Sequence, residues 1–148
     1  MFGRDKENQS QRGMLAETAV LKRFAELGYE VLVPWGGHHA YDLAYVQPGQ
    51  GGLFSSKPPE LIRVQVKLAR MSPDGSYFEF HTSTKGYDGR RVSYGGKVEL
   101  FAVYCIETGK VYAVWVKDAP KMKMILRLTQ VQIGKERKYI KWAQDYEL

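Results

Sequence analysis

The chain predicts an α+β fold: one domain, with a helix packed on a mixed central sheet. One helical segment comes first and several strand-like runs follow it without regular alternation. The strongest periodicity is of period two, with Ile62, Val64, Val66 and Leu68 alternating with Arg63, Gln65 and Lys67. The length, 148 residues at 44% hydrophobic, suits a single core, and no internal repeat or domain boundary divides it.

Taken in order, residues 1–11 are polar and charged and are expected to form a disordered tail ahead of a single domain over 12–148. Arg12 to Gly28 reads as an amphipathic helix closed by the glycine. Met14, Val20, Leu21, Phe24, Ala25 and Leu27 fall on one arc at helical spacing, and Lys22, Arg23 and Glu26 fall on the other. Tyr29 to Pro34 is a strand, Trp35 to His39 a turn, and Ala40 to Val46 a second strand. Gln47 to Glu60, rich in Gly and Pro, is a long flexible connection. Leu61 to Arg70 is the clearest strand and Tyr77 to Thr82 another. Ser83 to Lys97 is a Gly- and Arg-rich loop. Val98 to Ile106 and Val111 to Val116 form a hairpin across Glu107-Thr108-Gly109-Lys110. Lys121 to Leu128 fits either a helix or an extended stretch, and the aromatic tail from Lys138 to Ala143 is expected to be ordered.

Bulk chemistry narrows the function classes. No apolar run approaches the roughly 20 residues of a membrane span. Met1 to Ser10 has the character of neither a signal nor a transit peptide, and a cytoplasmic protein fits this. Cys105 is the single cysteine, so neither an internal disulfide nor a cysteine zinc site is available. It lies in the apolar run Leu100 to Ile106 and reads as core. A net charge of +6 suits a polyanionic partner.

Within the helix, Glu17 stands out. It lies in the middle of the apolar arc, one turn after Met14 and one turn before Leu21. An inward carboxylate is unfavourable unless it is paired, bound to a metal, or placed at a rim where it reaches water. Downstream, pleating puts Gln65 and Lys67 on one face of their strand, opposite Val64, Val66 and Leu68. Asp42 lies on the preceding strand. If those strands pair, Asp42 meets Gln65 and Lys67, and a helix laid across the sheet brings Glu17 to them. The set supplies hard oxygen ligands: the Asp42 carboxylate, the Gln65 amide oxygen, the Val66 main-chain carbonyl, and Glu17 directly or through water. Few carboxylates and several waters suit Mg²⁺. Lys67 is then placed to orient or deprotonate a water, or to stabilise charge on a phosphate. The bland alternatives are a turn residue for Asp42 and a solvent-facing half-buried strand for Gln65 and Lys67. The adjacent His38 and His39 point different ways and read as loop or DNA-contact residues.

In this order the pieces resemble the PD-(D/E)XK nuclease core: the helix glutamate, Gly28-Tyr29-Glu30-Val31, Pro34-Trp35-Gly36-Gly37, Tyr41-Asp42-Leu43 and Val64-Gln65-Val66-Lys67. More closely, the pattern is similar to the small PD-(D/E)XK endonucleases that include a cyanobacterial group I intron homing endonuclease. That similarity runs from about Gly13 to the C-terminus, through Phe101-Ala102-Val103-Tyr104, Glu107-Thr108-Gly109, Leu126-Arg127-Leu128 and Trp142-Ala143. Two positions depart from the superfamily pattern. Tyr41 stands where proline precedes the aspartate, and Gln65 stands where an acidic residue is usual, although the resembled branch also uses glutamine there.

The resemblance implies a mixed central sheet flanked by helices and a Mg²⁺-dependent endonuclease acting on double-stranded DNA, with Mn²⁺ able to substitute. Cleavage would be site-specific and leave a 5′-phosphate. Glu17, Asp42, Gln65 and Lys67 form the catalytic set on this reading, with metal at Asp42, Glu17, Gln65 and the Val66 main chain. Arg12, Lys57, Lys85, Arg90, Arg91 and Lys97 are candidates for DNA contact. Cutting both strands calls for a homodimer or homotetramer. The alternatives are a structure-selective nuclease of the Holliday-junction resolvase kind and a non-cleaving DNA-binding module on the same fold.

Overall fold

A computed structural model describes residues 2–52, 55–130 and 139–148. The chain opens with helix α1 (Phe2–Glu26). The expected tail over residues 2–11 is therefore helical in the structure, although its polar sequence carries no apolar periodicity to announce a helix. α1 stops where the sequence expects it to. Gly28 takes φ +76°. Its N–H donates to the Ala25 carbonyl and the Tyr29 N–H donates to the Phe24 carbonyl, the paired bonds of a Schellman cap. The Tyr29 ring then packs edge-on against Phe24, with centroids 5.3 Å apart.

Twelve strands follow among the described residues: β1 (Glu30–Leu32), β2 (Leu43–Gln47), β3 (Gly51–Gly52), β4 (Ser55–Ser56), β5 (Glu60–Leu68), β6 (Arg70–Met71), β7 (Tyr77–His81), β8 (Ser83–Lys85), β9 (Arg91–Ser93), β10 (Leu100–Cys105), β11 (Lys110–Trp115) and β12 (Lys123–Arg127). The main sheet has the order β1-β2-β5-β10-β11. It is mixed, because β10 pairs β5 in parallel while the other neighbours are antiparallel. β7 lies between β12 and β6 in a small antiparallel sheet.

Each face of the main sheet has its own core. On one, α1 buries Ala16, Val20 and Phe24 against Leu43, Tyr45, Ile62, Val64, Val66, Leu100 and Ala102. On the other, Phe101, Val103, Cys105, Tyr112 and Val114 meet Phe78, Phe80, Met124 and Leu126 of the small sheet. β10 is therefore apolar on both sides, as an internal strand with a parallel neighbour should be. Cys105 is buried and unpaired.

Several local features refine the expectation or depart from it. The buried line of α1 is centred on Ala16, Val20 and Phe24, so Met14 (66% exposed), Leu21 and Leu27 face solvent. Glu17 follows the buried Ala16 but is itself exposed, at the rim of the packed stripe and not at its centre. The Gly/Pro connection carries the short β3–β4 pair, and residues 53–54 lie outside the described part. The loop from Ser83 to Lys97 contains the β8–β9 hairpin. Lys121 to Leu128 resolves to strand β12, because Met124 and Leu126 alternate inward onto β7. Near the C-terminus a short 3-10 helix (Ala143–Tyr146) buries Ala143; Lys138, the start of the expected ordered tail, lies outside the described residues. Among the described residues no helix is long and apolar enough to cross a membrane.

Candidate active site

β2 begins one residue after Asp42, and the Asp42 N–H donates to the Val64 carbonyl (2.9 Å), extending the β2–β5 ladder by one step. The compact turn before it is drawn in by His39, whose Nε2 lies 2.6 Å from the Trp35 carbonyl oxygen. Beyond this point β2 no longer covers β5. The Val66 N–H therefore has no strand partner, and Asp42 Oδ2 accepts from it at 2.7 Å. The same oxygen accepts from Gln65 Nε2 at 2.5 Å. Asp42 Oδ1 and Gln65 Oε1 take part in neither bond, and both residues are half-buried. By the alternation of an antiparallel ladder, the Val66 carbonyl opens on the same side as its N–H, toward Asp42. Asp42, Gln65 and Val66 thus meet at the open end of β5, and among the described residues no hydrogen bond joins Glu17 to them.

Lys67 lies two residues further along the Gln65 face. Its Nζ donates to Tyr94 Oη at 2.9 Å and sits 4.5 Å from the centre of the Tyr94 ring and 5.9 Å from that of Phe101. Register explains this platform, since Phe101 pairs with Gln65 and Val103 with Lys67 across β10. The sequence places Tyr94 in the basic Gly-rich stretch and offers no link to Lys67. Its only sequence signal is an aromatic directly after β9, which reads equally well as packing.

The electrostatics of the two acids agree with this geometry. Burial raises the Asp42 carboxyl above its ordinary range, against the Val66 N–H, the Lys67 charge and the Gln65 amide, which all favour the ionised form. Partial burial raises Glu17 as well, and the negative charge of Asp42 raises it further. The two acids are therefore within electrostatic reach of each other from different elements. Among the described residues no group of three or more His, Cys, Asp or Glu forms a metal cluster. A cation here would draw its remaining ligands from the amide oxygen, the main chain and water. The donor set is all oxygen, with two acids that are less stable as paired anions, and it fits a small hard divalent ion.

The six basic candidates fall into two groups. Lys85, Arg90 and Arg91 share the β8–β9 hairpin, and exposed Lys97 lies in the turn that follows Tyr94. Arg90 approaches Asp88 at 3.5 Å, and Arg91 Nη1 is 3.4 Å from Ser83 Oγ. Arg12 lies on α1, and Lys57 pairs with Glu60 (3.3 Å) ahead of β5. These two do not belong to the hairpin group.

Three comparisons bear on this arrangement. The model of the PD-(D/E)XK endonuclease family matches residues 7–148. Among solved structures, the chain is similar to a bacterial homing endonuclease, I-Ssp6803I, with 21% identity, a TM-score of 0.67, and coverage of 93% of this chain and 87% of that one. This likeness is one of fold. No curated protein matches the chain. With the family matched across nearly its whole length and the fold shared with a solved endonuclease, the chain belongs to the PD-(D/E)XK endonuclease family.

Proposed function

We propose that this protein is a Mg²⁺-dependent endonuclease that hydrolyses phosphodiester bonds in double-stranded DNA at specific sites. One observation carries the reading: Asp42 is locked by Gln65 and the Val66 N–H at the open end of β5, with Lys67 on the same strand face. Asp42, Glu17, the Gln65 amide oxygen and the Val66 carbonyl would hold the ion, and Mn²⁺ would serve in its place. When bound, such an ion polarises the scissile phosphate and makes a coordinated water more acidic.

The chain's own residues do the rest. Gln65 and Val66 fix the orientation of Asp42 before substrate arrives, so little ordering is left for the reaction itself. Lys67 offers its ammonium protons to the attacking water or to the phosphate oxygen on which charge develops. The water so oriented attacks phosphorus and gives up its proton to solvent, the bond to the 3′ oxygen breaks with that oxygen taking a proton to become the 3′ hydroxyl, and a 5′-phosphate end remains. Lys85, Arg90, Arg91 and Lys97, with Arg12 and Lys57 beyond them, contact the DNA backbone or base edges. Duplex cleavage needs one such centre per strand, hence a homodimer or homotetramer.

The test is plasmid nicking with Mg²⁺, with Mn²⁺ and with chelator, for the wild type and Asp42→Asn. Metal-dependent cutting by the wild type that the amide variant loses is expected, because a neutral amide binds Mg²⁺ far less well than a carboxylate. Binding of duplex DNA with no cutting under any metal would reassign the chain as a DNA-binding module. Cutting confined to a four-way junction would reassign it as a structure-selective nuclease.

A further inference from the structure

Three side chains alternate along one face of β5, and each is held by a different neighbour. Arg63 is clamped to Glu99 through its Nε and Nη2 and donates from Nη2 to the Gly96 carbonyl at 3.2 Å. Gln65 is held by Asp42. Lys67 is held by Tyr94, and among the described residues no ion pair links it to a carboxylate. The ammonium is thus met by a neutral hydroxyl and a ring face, although the Asp42 carboxylate is bound to Gln65, the neighbouring side chain on the same face of β5. An ammonium free to move would be drawn to the carboxylate.

Tyr94 is well placed to prevent this. The residue is 8% exposed and its ring packs edge-on against Phe101, centroids 5.5 Å apart and planes at 86°. Its backbone carbonyl accepts from the Lys97 and Val98 N–H groups, which closes the turn that contains Gly96. The Arg63 clamp ties that turn back to β5. The strand that carries Lys67 thus anchors the turn that holds Lys67. The same turn leads directly out of β9, the second strand of the basic hairpin.

We propose that Tyr94 is the positioning residue for Lys67: its hydroxyl and ring face hold the ammonium beside the site and keep it from collapsing onto Asp42. The hydroxyl takes one ammonium proton and the ring offers a cation–π contact. Two ammonium protons remain for water and phosphate, and Asp42 Oδ1 is left uncovered. The role of Lys67 in cleavage rests on the function proposed above; the tether itself does not.

Tyr94→Phe keeps the ring, its packing and its cation–π contact and removes only the hydroxyl's hydrogen bond to the ammonium. Single-turnover cleavage at saturating DNA is expected to fall about 10- to 100-fold, as for other residues that orient an active group. The Kd for DNA measured in Ca²⁺ and the thermal midpoint should stay at wild-type values. In a Lys67→Ala background, adding Tyr94→Phe should cause no further loss, because the two act as a unit. Wild-type cleavage by Tyr94→Phe would overturn the proposal, and so would weaker DNA binding at an unchanged rate. If the wild type cuts nothing, the endonuclease reading fails and the tether is still measurable. Nitrogen-15 NMR of the side-chain ammonium groups in metal-free protein should show a distinct Lys67 resonance that Tyr94→Phe shifts or broadens away while the other lysines stay put. Identical spectra would overturn it.

Discussion

The two faces of β5 follow opposite rules. Ile62, Val64 and Val66 lie in the apolar core under α1, where contact is many-sided and any well-fitting hydrocarbon would serve. Arg63, Gln65 and Lys67 face the other way, and each has a particular partner in Glu99, Asp42 or Tyr94. The difference shows how one short strand separates two tasks. Alternation lets the apolar face supply stability while the polar face holds a fixed arrangement, and a substitution should disturb mainly the face it belongs to.

Substitutions that probe one face at a time test this division. The largest effect is expected on the apolar side. Phe24 is fully buried and packs edge-on against Tyr29 and Tyr45. Phe24→Ala should lower unfolding free energy in urea by about 3–5 kcal/mol. A loss of under 1 kcal/mol would mean that the helix does not anchor this core. On the polar side, Lys67→Ala should reduce cleavage on the order of 10²–10³-fold, with DNA binding and the urea midpoint nearly unchanged. A variant that cuts normally, or one that unfolds, would break the comparison in opposite directions.

Glu17→Gln sharpens the boundary between the faces. The folded carboxyl is raised above its ordinary 4.5 by burial and by Asp42. The protonated form is therefore the one favoured by folding. Its contribution is complete below the ordinary value and is lost as pH rises through the raised one. Above that window the ionised glutamate opposes folding, so the metal-free Gln variant should melt at or above the wild-type temperature at neutral pH. The two curves should converge in acid, and cleavage should fall. Earlier melting of the variant at neutral pH would make Glu17 a structural ion-pair partner. The smallest effect is expected from the exposed hairpin. Arg90→Ala with Arg91→Ala should flatten the salt dependence of log K by roughly 0.9 for each phosphate that the variant no longer neutralises. An unchanged slope in a filter-binding titration would remove the hairpin from the DNA interface.

Much of this was legible because it is periodic or local. The alternation over Leu61 to Leu68 marked β5 and both of its faces, and Gly28 marked the helix end. Gly109, at φ +68°, marked the turn between β10 and β11. Asp42, Gln65 and Lys67 could be named because antiparallel pairing of neighbouring strands is the simplest topology, and the structure brings Asp42 onto Gln65 and Val66. The illegible parts depend on tertiary context. Met14 and Leu21 share an arc with Phe24, but the sheet touches only the side of α1 centred on Val20. Strands β8 and β9 have three residues each, too few for alternation to rise above a Gly- and Arg-rich background. Tyr94 meets Lys67 through the closure of β10 on β5, a parallel pairing that no local pattern encodes.

The hydrogen bonds that shape the site also determine when it can exist. They join residues 23, 24 and 27 positions apart, and none links near neighbours in the chain. Such contacts close loops whose entropy must be overcome first, so they form together with the cooperative fold and not ahead of it. A chain still emerging during synthesis, or one whose β10 has come away from β5, carries every one of these residues yet lacks their arrangement. Whatever chemistry the site performs is thereby confined to completely folded molecules, with no separate inhibitor needed to silence the immature ones.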